Sequence, residues 1–391
     1  MTGVAGFIAV TCGAFGANIT NSPLPAASTN LDLLGPVTNW LAPKDWKMPS
    51  WIWGGTVRAG FGYKDNVTLS SVHPRGSAFW SAAADGVIYR LPTHGWQFYG
   101  MASFENVGYL DKSVGVANEQ IGLVVGQVSK ELGHGWKTGL GVNYIYQDQV
   151  VDLSVTQTNT AGTNNNSEVL GHNTAARWFV RKDLKPWWAE VEASLSRQWL
   201  VAPLDSYYQT GPKLTMGRSY GHGSDVTLAY SWYYVEFDHR EQITAVGYTD
   251  PGTHLRFNPQ TVELSSHHVW DAKAHWHTIT KIGLDLNQDN GSGYFDFTQY
   301  RLSEQIKYHA QTWEAWVQFR IGHYDFPVQP VSVDDPTHRY KTGVSLSLRA
   351  EKSLSKAFKV FLNYSLDHSL GNVSYDRYQT SSTSAGVEYH F

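Results

Sequence analysis

The sequence of 391 residues has little charge, a single cysteine and no long apolar run beyond its first twenty positions. Asp, Glu, Lys and Arg make up only 16% of the chain, whereas about 25% is typical of soluble domains. One cysteine excludes a disulfide scaffold and any zinc or iron–sulfur site built from cysteines. The lack of an apolar stretch of about 18–20 residues argues against a membrane-spanning helix. A formal net charge of -4 gives no reason to expect a nucleic-acid partner.

Aromatic residues are abundant instead. They make up 14% of the chain, with 16 Trp and 22 Tyr against 4 Met. The mean hydropathy is nonetheless negative, at -0.34. Low charge combined with many Tyr, Trp, Gly, Ser and Thr residues favours a large β-structure that has both wet and apolar faces.

The N-terminal region divides into two predicted segments. Residues 4–15 are apolar and small, and Ala14-Phe15-Gly16 supplies a small-x-small pattern, so residues 1–16 are predicted to be a signal peptide cleaved after Gly16. Cleavage there also removes Cys12. Residues 17–50 are rich in Pro, Asn, Ser and Ala without strand alternation. Two interpretations stay open for them, a periplasmic leader and a plug that folds into a pore.

From Trp51 onward, apolar and polar residues alternate with a period of two. This alternation continues for about ten residues in each segment, which is longer than the usual strand of a soluble protein, about five or six residues. Ten residues is about what a tilted strand needs to cross a bilayer. One such segment sets Tyr340, Thr342, Val344, Leu346 and Leu348 against Arg339, Lys341, Ser345, Ser347 and Arg349.

The connections between these segments alternate between short and long. Pro92-Thr93-His94-Gly95 and Leu132-Gly133-His134-Gly135 are short turns, whereas 152–167 and 240–258 are long polar stretches. This alternation is typical of barrels with short periplasmic turns and long outer loops. The pattern predicts an all-β fold, a transmembrane antiparallel β-barrel over residues 51–391 with about 16 strands, 14 to 18 being compatible. The predicted strands include a first strand over 51–64 and a later one over 259–276. An even count places both termini in the periplasm.

The C-terminus carries a second signature. Phe391, Tyr389 and Val387 alternate back from a terminal aromatic residue, which resembles the closing strand of Gram-negative outer-membrane β-barrels. Residues 62–67, Gly-Tyr-Lys-Asp-Asn-Val, also resemble the first hairpin of porin-type barrels. The resemblance implies a location in the outer membrane, contact with its lipids, and recognition of the last strand by the barrel-assembly machinery. It indicates the fold far better than the solute.

Charged residues on the polar face are candidates for the pore lining. One interpretation is the polar wall that any water-filled barrel needs, since a charge on the lipid face is costly. The other is a basic strip on late strands opposed to Glu190 and Glu192, whose transverse field favours small polar or anionic solutes. The candidates are Arg301, Lys307, Glu314, Arg320, Arg339, Lys341, Arg349, Lys359, Glu190 and Glu192.

Metal binding and catalysis have little support. His275 and His277 are placed on one strand face at i, i+2, but no third ligand is evident from the sequence, so neither a metal nor another cofactor is predicted. No local hydrolase or nucleotide-binding motif occurs. The sequence therefore predicts a channel for small polar or anionic solutes. A non-conducting barrel that binds a protein partner and an outer-membrane hydrolase remain as alternatives, and a homo-oligomer is compatible with each.

Overall fold

A computed structural model describes residues 51–156, 166–202, 204–221, 223–332 and 334–391. The predicted signal peptide, 1–16, and the predicted leader or plug, 17–50, lie outside these described residues. Within them, no helix is long and apolar enough to span a membrane.

The described ranges contain twenty β-strands. Two single-turn 3-10 helices, Lys112–Val114 and Ser374–Asp376, lie in connections between strands. The strands are β1 (Trp51–Lys64), β2 (Ser77–Thr93), β3 (Trp96–Tyr109), β4 (Asn118–Gly133), β5 (Trp136–Asp152), β6 (Asn166–Leu184), β7 (Trp187–Leu200), β8 (Tyr207–Tyr220), β9 (Ser224–Trp232), β10 (Tyr234–Phe237), β11 (Gln242–Ile243), β12 (Thr249–Asp250), β13 (Arg256–Phe257), β14 (Gln260–Val269), β15 (Trp276–Asn287), β16 (Phe297–His309), β17 (Trp313–Pro330), β18 (His338–Ser353), β19 (Phe358–Gly371) and β20 (Tyr378–His390).

Antiparallel pairing joins these strands into a closed barrel. Each long strand pairs with its neighbours in sequence, and β1 closes the ring by pairing with β20. The short strands β10 and β13 pair with each other and extend β9 and β14 beyond Tyr233, while β11 and β12 form a separate hairpin. Sixteen strands therefore form the wall, which confirms the predicted all-β barrel and its strand number. Closure leaves no sheet edge unpaired in lipid.

The side chains of each strand alternate between the two faces of the wall. On β1, Val57 and Phe61 are 49% and 72% exposed, whereas Arg58 and Lys64 are buried. The register carries this alternation to the neighbouring strand, because Val57 lies opposite Ala84 and Arg58 lies opposite Ala83. Apolar side chains thus face outward and charged side chains face inward.

A belt of tryptophans marks the short-turn end of the barrel. Six strands begin with a Trp whose side chain is 40–49% exposed. In five cases a Lys or Arg of the neighbouring strand lies over the ring, within the range of cation–π attraction. An indole at the boundary of an apolar belt is typical of the lipid headgroup level. The pairs are Arg90 over Trp51 at 5.5 Å, Lys130 over Trp96 at 5.0 Å, Lys182 over Trp136 at 4.8 Å, Arg218 over Trp187 at 5.3 Å and Lys352 over Trp313 at 5.1 Å, and the sixth ring is Trp276.

One predicted strand boundary is wrong. The sequence pattern suggests a continuous strand over 259–276, but β14 ends at Val269 and a turn follows. The side chain of Asp271 accepts hydrogen bonds from the backbone N–H groups of His275 and Trp276. Ala274 adopts a positive φ of 55° in the same turn. Asp commonly accepts such local backbone bonds in turns, and the next strand begins at Trp276.

The closing seam between β1 and β20 depends on two facing glycines. Gly60 lies opposite Gly386, and Phe361 packs over both. A Cβ atom at Gly386 would lie 2.1 Å from the carbonyl oxygen of Ala59 and 2.6 Å from Cζ of Phe361. Such approaches force the backbone or the ring to move.

Replacing Gly386 with Val is therefore expected to destabilise the closed barrel by about 1–3 kcal/mol, as overpacking does. The measurement is the temperature at which the compact band of an unboiled sample converts to the unfolded band on an SDS gel. Gly343→Val is the matched control, because a Cβ atom at Gly343 has no neighbour within 4 Å. Equal conversion temperatures for the two variants would contradict this account of the seam.

Candidate pore

The inward faces of β1–β5 and β17–β20 enclose a cavity. It contains about 1190 Å³ of space free of protein atoms, including the part that opens to solvent. Serine side chains of β18–β20 form much of one side, and apolar groups such as Ile121 and Val107 form part of the other. Six charged side chains also line the cavity, namely Arg58, Lys64, Glu105, Glu119, Arg349 and Asp367.

These charges are arranged largely as ion pairs. Arg58 Nη2 lies 2.8 Å from a carboxylate oxygen of Asp85 on the neighbouring strand. Arg349 contacts Glu351 on its own strand and lies 3.1 Å from Glu388, two strands away. Since charge-assisted hydrogen bonds hold both partners of each pair, the inner wall is polar and close to neutral.

The late-strand candidates face inward and have carboxylate partners beside them. Arg301 donates to Asp285 at 2.6 Å and to Glu263 at 2.7 Å. Lys307 lies 3.0 Å from Glu314, and Lys359 lies 3.1 Å from Glu351. Acidic residues therefore interrupt the basic strip expected from the sequence.

The acidic candidates Glu190 and Glu192 also face inward and have basic residues beside them. Glu192 lies 3.1 Å from Arg177 on the adjacent strand β6, and Glu190 is in register with Arg181. Arg320 donates a hydrogen bond to Gln318 at 2.8 Å. Opposite charges therefore lie side by side along the wall, instead of forming the two separate walls that a transverse field requires.

Two candidates, Arg339 and Lys341, lie in a buried network at the long-loop end of the barrel, apart from the residues that line the cavity described above. The Arg339 side chain has no exposed surface and donates to Asp376 and Gln329 at 2.7 Å each. Lys341 is 4% exposed. Connections between strands contribute Asp376 and Ser154 to the contacts of these side chains, and the expectation that the two line the pore stays a prediction.

Lys341 joins opposite sides of the barrel. Its ammonium group contacts the carboxylate of Asp152 and lies 2.6 Å from Oγ of Ser154. Asp152 ends β5, and eight wall strands in one direction and six in the other separate β5 from β18. The contact therefore crosses the interior. We refer to Lys341, Asp152 and Ser154 as the latch.

Further contacts fix the segment that follows the latch. Arg240, in the connection after β10, donates to the backbone carbonyl of Thr156, and its guanidinium lies 4.5 Å from the centre of the Phe295 ring. Residues 153–156 are thus held within the long-loop end of the barrel.

Two apolar clusters support the same end of the barrel. Side chains from long connections pack against side chains from strand ends in each cluster. The buried area keeps these connections ordered, since burial of apolar surface offsets the entropy of ordering them. One cluster contains Val67, Leu69, Phe79, Tyr109, Val114, Val116, Val150 and Tyr378, and the other contains Tyr207, Val235, Phe237, Ile243, Leu255, Phe257, Tyr294 and Phe295.

The two weak metal candidates do not share a strand face. His277 faces inward, and its ring is nearly parallel to that of His267, with Nε2 of His267 3.2 Å from Nδ1 of His277. His275 lies in the preceding turn, 2.9 Å from Asp271.

Another group, Asp205, Asp238 and His239, brings three possible ligand atoms within 4.8 Å of one another. Both carboxylates already have partners. Arg197 donates to both oxygens of Asp238 and so lowers the pKa of that carboxyl. Asp205 accepts bonds from the backbone N–H groups of His239 and Arg240. This group accordingly supports no metal assignment.

These features define the class of the molecule. The barrel is closed, has an even number of strands and presents an apolar surface outward, with aromatic residues at the boundary and charged residues on the inner wall. This combination describes a transmembrane β-barrel of the Gram-negative outer-membrane type.

Comparison with known proteins gives no family. No family model matches the chain, and neither does any curated protein. Solved structures that resemble it include OccAB1 of Acinetobacter baumannii, with 10% identity over 87% of this chain and 96% of that chain and a TM-score of 0.46. A BenF-like porin from Pseudomonas fluorescens Pf-5 has 9% identity over 86% and 98%, with a TM-score of 0.46. OccK2 of Pseudomonas aeruginosa, solved in complex with glucuronate, has 11% identity over 86% and 95%, with a TM-score of 0.46. Likeness at this level carries no argument about function, and the barrel assignment rests on the strand pairing.

The latch leads to a stability prediction. Lys341→Met leaves the Asp152 carboxylate buried without its cation, and breaking a buried pair in this way costs about 3–5 kcal/mol. We expect a lower unfolding temperature, measured by loss of the β-sheet circular dichroism signal in detergent. The double variant Lys341→Met/Asp152→Asn is expected to regain part of the loss because no buried charge is left.

Lys352→Met provides a matched control on the same strand. Lys352 faces outward over Trp313, and an exposed cation–π contact contributes only about 0.5–1 kcal/mol. If Lys341→Met were no more destabilising than Lys352→Met, the latch would not hold the segment after β5.

Proposed function

We propose that the protein is an outer-membrane channel for the passive passage of small polar solutes. The observation that carries this proposal is the closed sixteen-strand wall with charged and hydroxyl side chains turned toward an internal cavity. Polar groups facing inward hydrate the interior, and charges kept off the lipid face avoid the cost of exposure to hydrocarbon. In this proposal the chain has no enzymatic activity and needs no cofactor.

The pairing of charges supports selection by size and polarity. A solute that passes Arg58 also passes Asp85, and one that passes Arg349 also passes Glu388. Neighbouring opposite charges create strong local fields that largely cancel at a distance. Polar solutes of either sign are therefore the expected cargo. The preference for anions suggested by the late-strand cations has no support from these pairs.

The proposal includes the orientation of the barrel in the outer membrane. The turns at 94–95, 134–135 and 185–186 are short, whereas the connections at 65–76 and 238–259 are long. Short turns face the periplasm in outer-membrane barrels. Both ends of the barrel domain then lie in the periplasm, the latch lies toward the outside, and the final residues Val387, Tyr389 and Phe391 belong to the strand that the barrel-assembly machinery recognises.

Conductance of the purified protein in planar bilayers tests the proposal. Stepwise currents are expected for the full chain or for a variant that lacks residues 17–50. Currents only after that deletion would identify the segment as a plug. The absence of steps from both proteins would contradict the channel and favour the non-conducting scaffold, and hydrolysis of lipid or ester substrates would contradict the absence of enzymatic activity.

A neighbouring pair of alanines on β2 sharpens this test. Ala83 lines the cavity, whereas Ala84 is exposed on the outer face. Ala83→Trp is expected to lower the unit conductance because the indole occupies the interior, while Ala84→Trp is expected to leave it unchanged. Equal effects of the two substitutions would mean that the current does not pass through this cavity.

A further inference from the structure

One carboxylate lies on the apolar outer surface of the barrel. Glu304 is on β16, on the same face as Leu302 and Ile306, which are each 39% exposed to the outside. The register places Phe319 of β17 beside it, and that ring is 40% exposed on the same surface. Glu304 is thus surrounded by side chains that belong in lipid.

Its depth is central. Tyr300 and Tyr308 lie on the same face of β16, each four residues from Glu304. Tyr308 packs against Trp276 in the aromatic belt, with ring centres 4.7 Å apart. Four residues span about 13 Å of strand, so Glu304 lies midway between aromatic residues at the two ends of the strand, where the bilayer is hydrocarbon.

The Glu304 carboxylate has no hydrogen-bond or ion-pair partner among the residues that the structure describes. A carboxyl group in hydrocarbon without a partner is unfavourable whether it is ionised or protonated, because it keeps unsatisfied polar atoms. Ionisable groups within membranes ordinarily mark a contact with another polar group. The missing partner must therefore come from outside this barrel.

The strands beside Glu304 offer donors in the same row. The register pairs Glu304 with Thr280 of β15, and Thr280 in turn with Ser266 of β14. Both hydroxyl side chains share the outer face with Leu264 and Ile282, which are 45% and 52% exposed. A serine, a threonine and a glutamate therefore form one polar row within an apolar surface.

We propose that a second copy of this chain covers this row in a two-fold symmetric dimer. When the axis passes in front of Thr280, Glu304 of each copy faces Ser266 of the other, and the two Thr280 side chains meet. A two-fold interface requires this type of self-complementarity, in which residue i contacts j and j contacts i. The row supplies one acceptor and two hydroxyl donors per copy, and Leu264, Ile282 and Ile306 supply the surrounding contact area. The inference uses only the outer surface and does not depend on conduction.

Cysteine cross-linking in native outer membranes tests the dimer. In a Cys12→Ser background, Thr280→Cys lies at the axis and is expected to form a disulfide-linked dimer upon oxidation. Val124→Cys is the matched control, because Val124 is 52% exposed on the outer face of β4, far around the ring. It is expected to remain monomeric. Folding of each variant is checked by the compact band of the unboiled sample.

The role of Glu304 is tested by measuring the cross-linked fraction of Glu304 variants that also carry Thr280→Cys. Glu304→Gln keeps a hydrogen-bonding group and is expected to preserve the cross-link. Glu304→Leu removes two hydrogen bonds per dimer and is expected to lower the cross-linked fraction about tenfold or more. Single-channel currents of Glu304→Leu are expected to match those of the parent protein, which separates failure of the dimer from failure of the channel.

Three results would overturn the proposal. They are the absence of a cross-link at Thr280→Cys, equal cross-linking at Val124→Cys, and a cross-link that persists unchanged in Glu304→Leu. A cross-linked product whose mass differs from twice that of the chain would replace the second copy with a different partner protein.

Discussion

Backbone N–H and C=O groups find no water in the hydrocarbon core of a bilayer, so each must be paired within the protein. A sheet meets this requirement only when its first and last strands pair. Here the seam between β1 and β20 provides that closure, and the facing glycines Gly60 and Gly386 allow the two backbones and the Phe361 ring to approach. Closure leaves no free edge, and closing a ring in which every pair is antiparallel requires an even number of strands. The alternating faces follow from the pleat of each strand.

The bilayer also determines which residues occupy each face of the wall. One face of every strand meets lipid and is largely apolar, while the other face carries most of the charge. Because the wall carries both signs side by side, the interior remains polar without a large net field. The ion pair of the latch differs from these pairs because its partners, Lys341 and Asp152, lie on strands that are not neighbours. It joins β5 to β18 across the interior and so holds the segment after β5 at the long-loop end of the barrel.

Much of the wall was predictable from the sequence because the signal is local. The predicted first strand, 51–64, has the same bounds as β1, since alternation and flanking turn residues suffice to locate a strand. The turn after Val269 was missed. Ala274 takes a positive φ there without being Gly or Asn, so the usual sequence marker of such a conformation is absent.

The interior was less predictable because its contacts are not local. Asp152 and Lys341 are separated by 189 positions, and nothing in either segment identifies the other. The pattern placed Arg339 and Lys341 on the polar face, which is sufficient to exclude lipid contact. It does not distinguish an open lumen from a network buried beneath long connections. Ion pairs along the wall were equally hidden, since alternation gives the face of a residue and not the position of its partner across strands.

The central claim is that this alternation separates a water-filled interior from lipid. Cysteine scanning of β18 tests it most directly, in a Cys12→Ser background with a water-soluble maleimide applied to protein in lipid vesicles. The account predicts rapid labelling of Ser345→Cys and Ser347→Cys, which face inward, and little labelling of Val344→Cys and Leu346→Cys, which face lipid. Equal labelling at all four positions, or labelling of the outward pair alone, would contradict it.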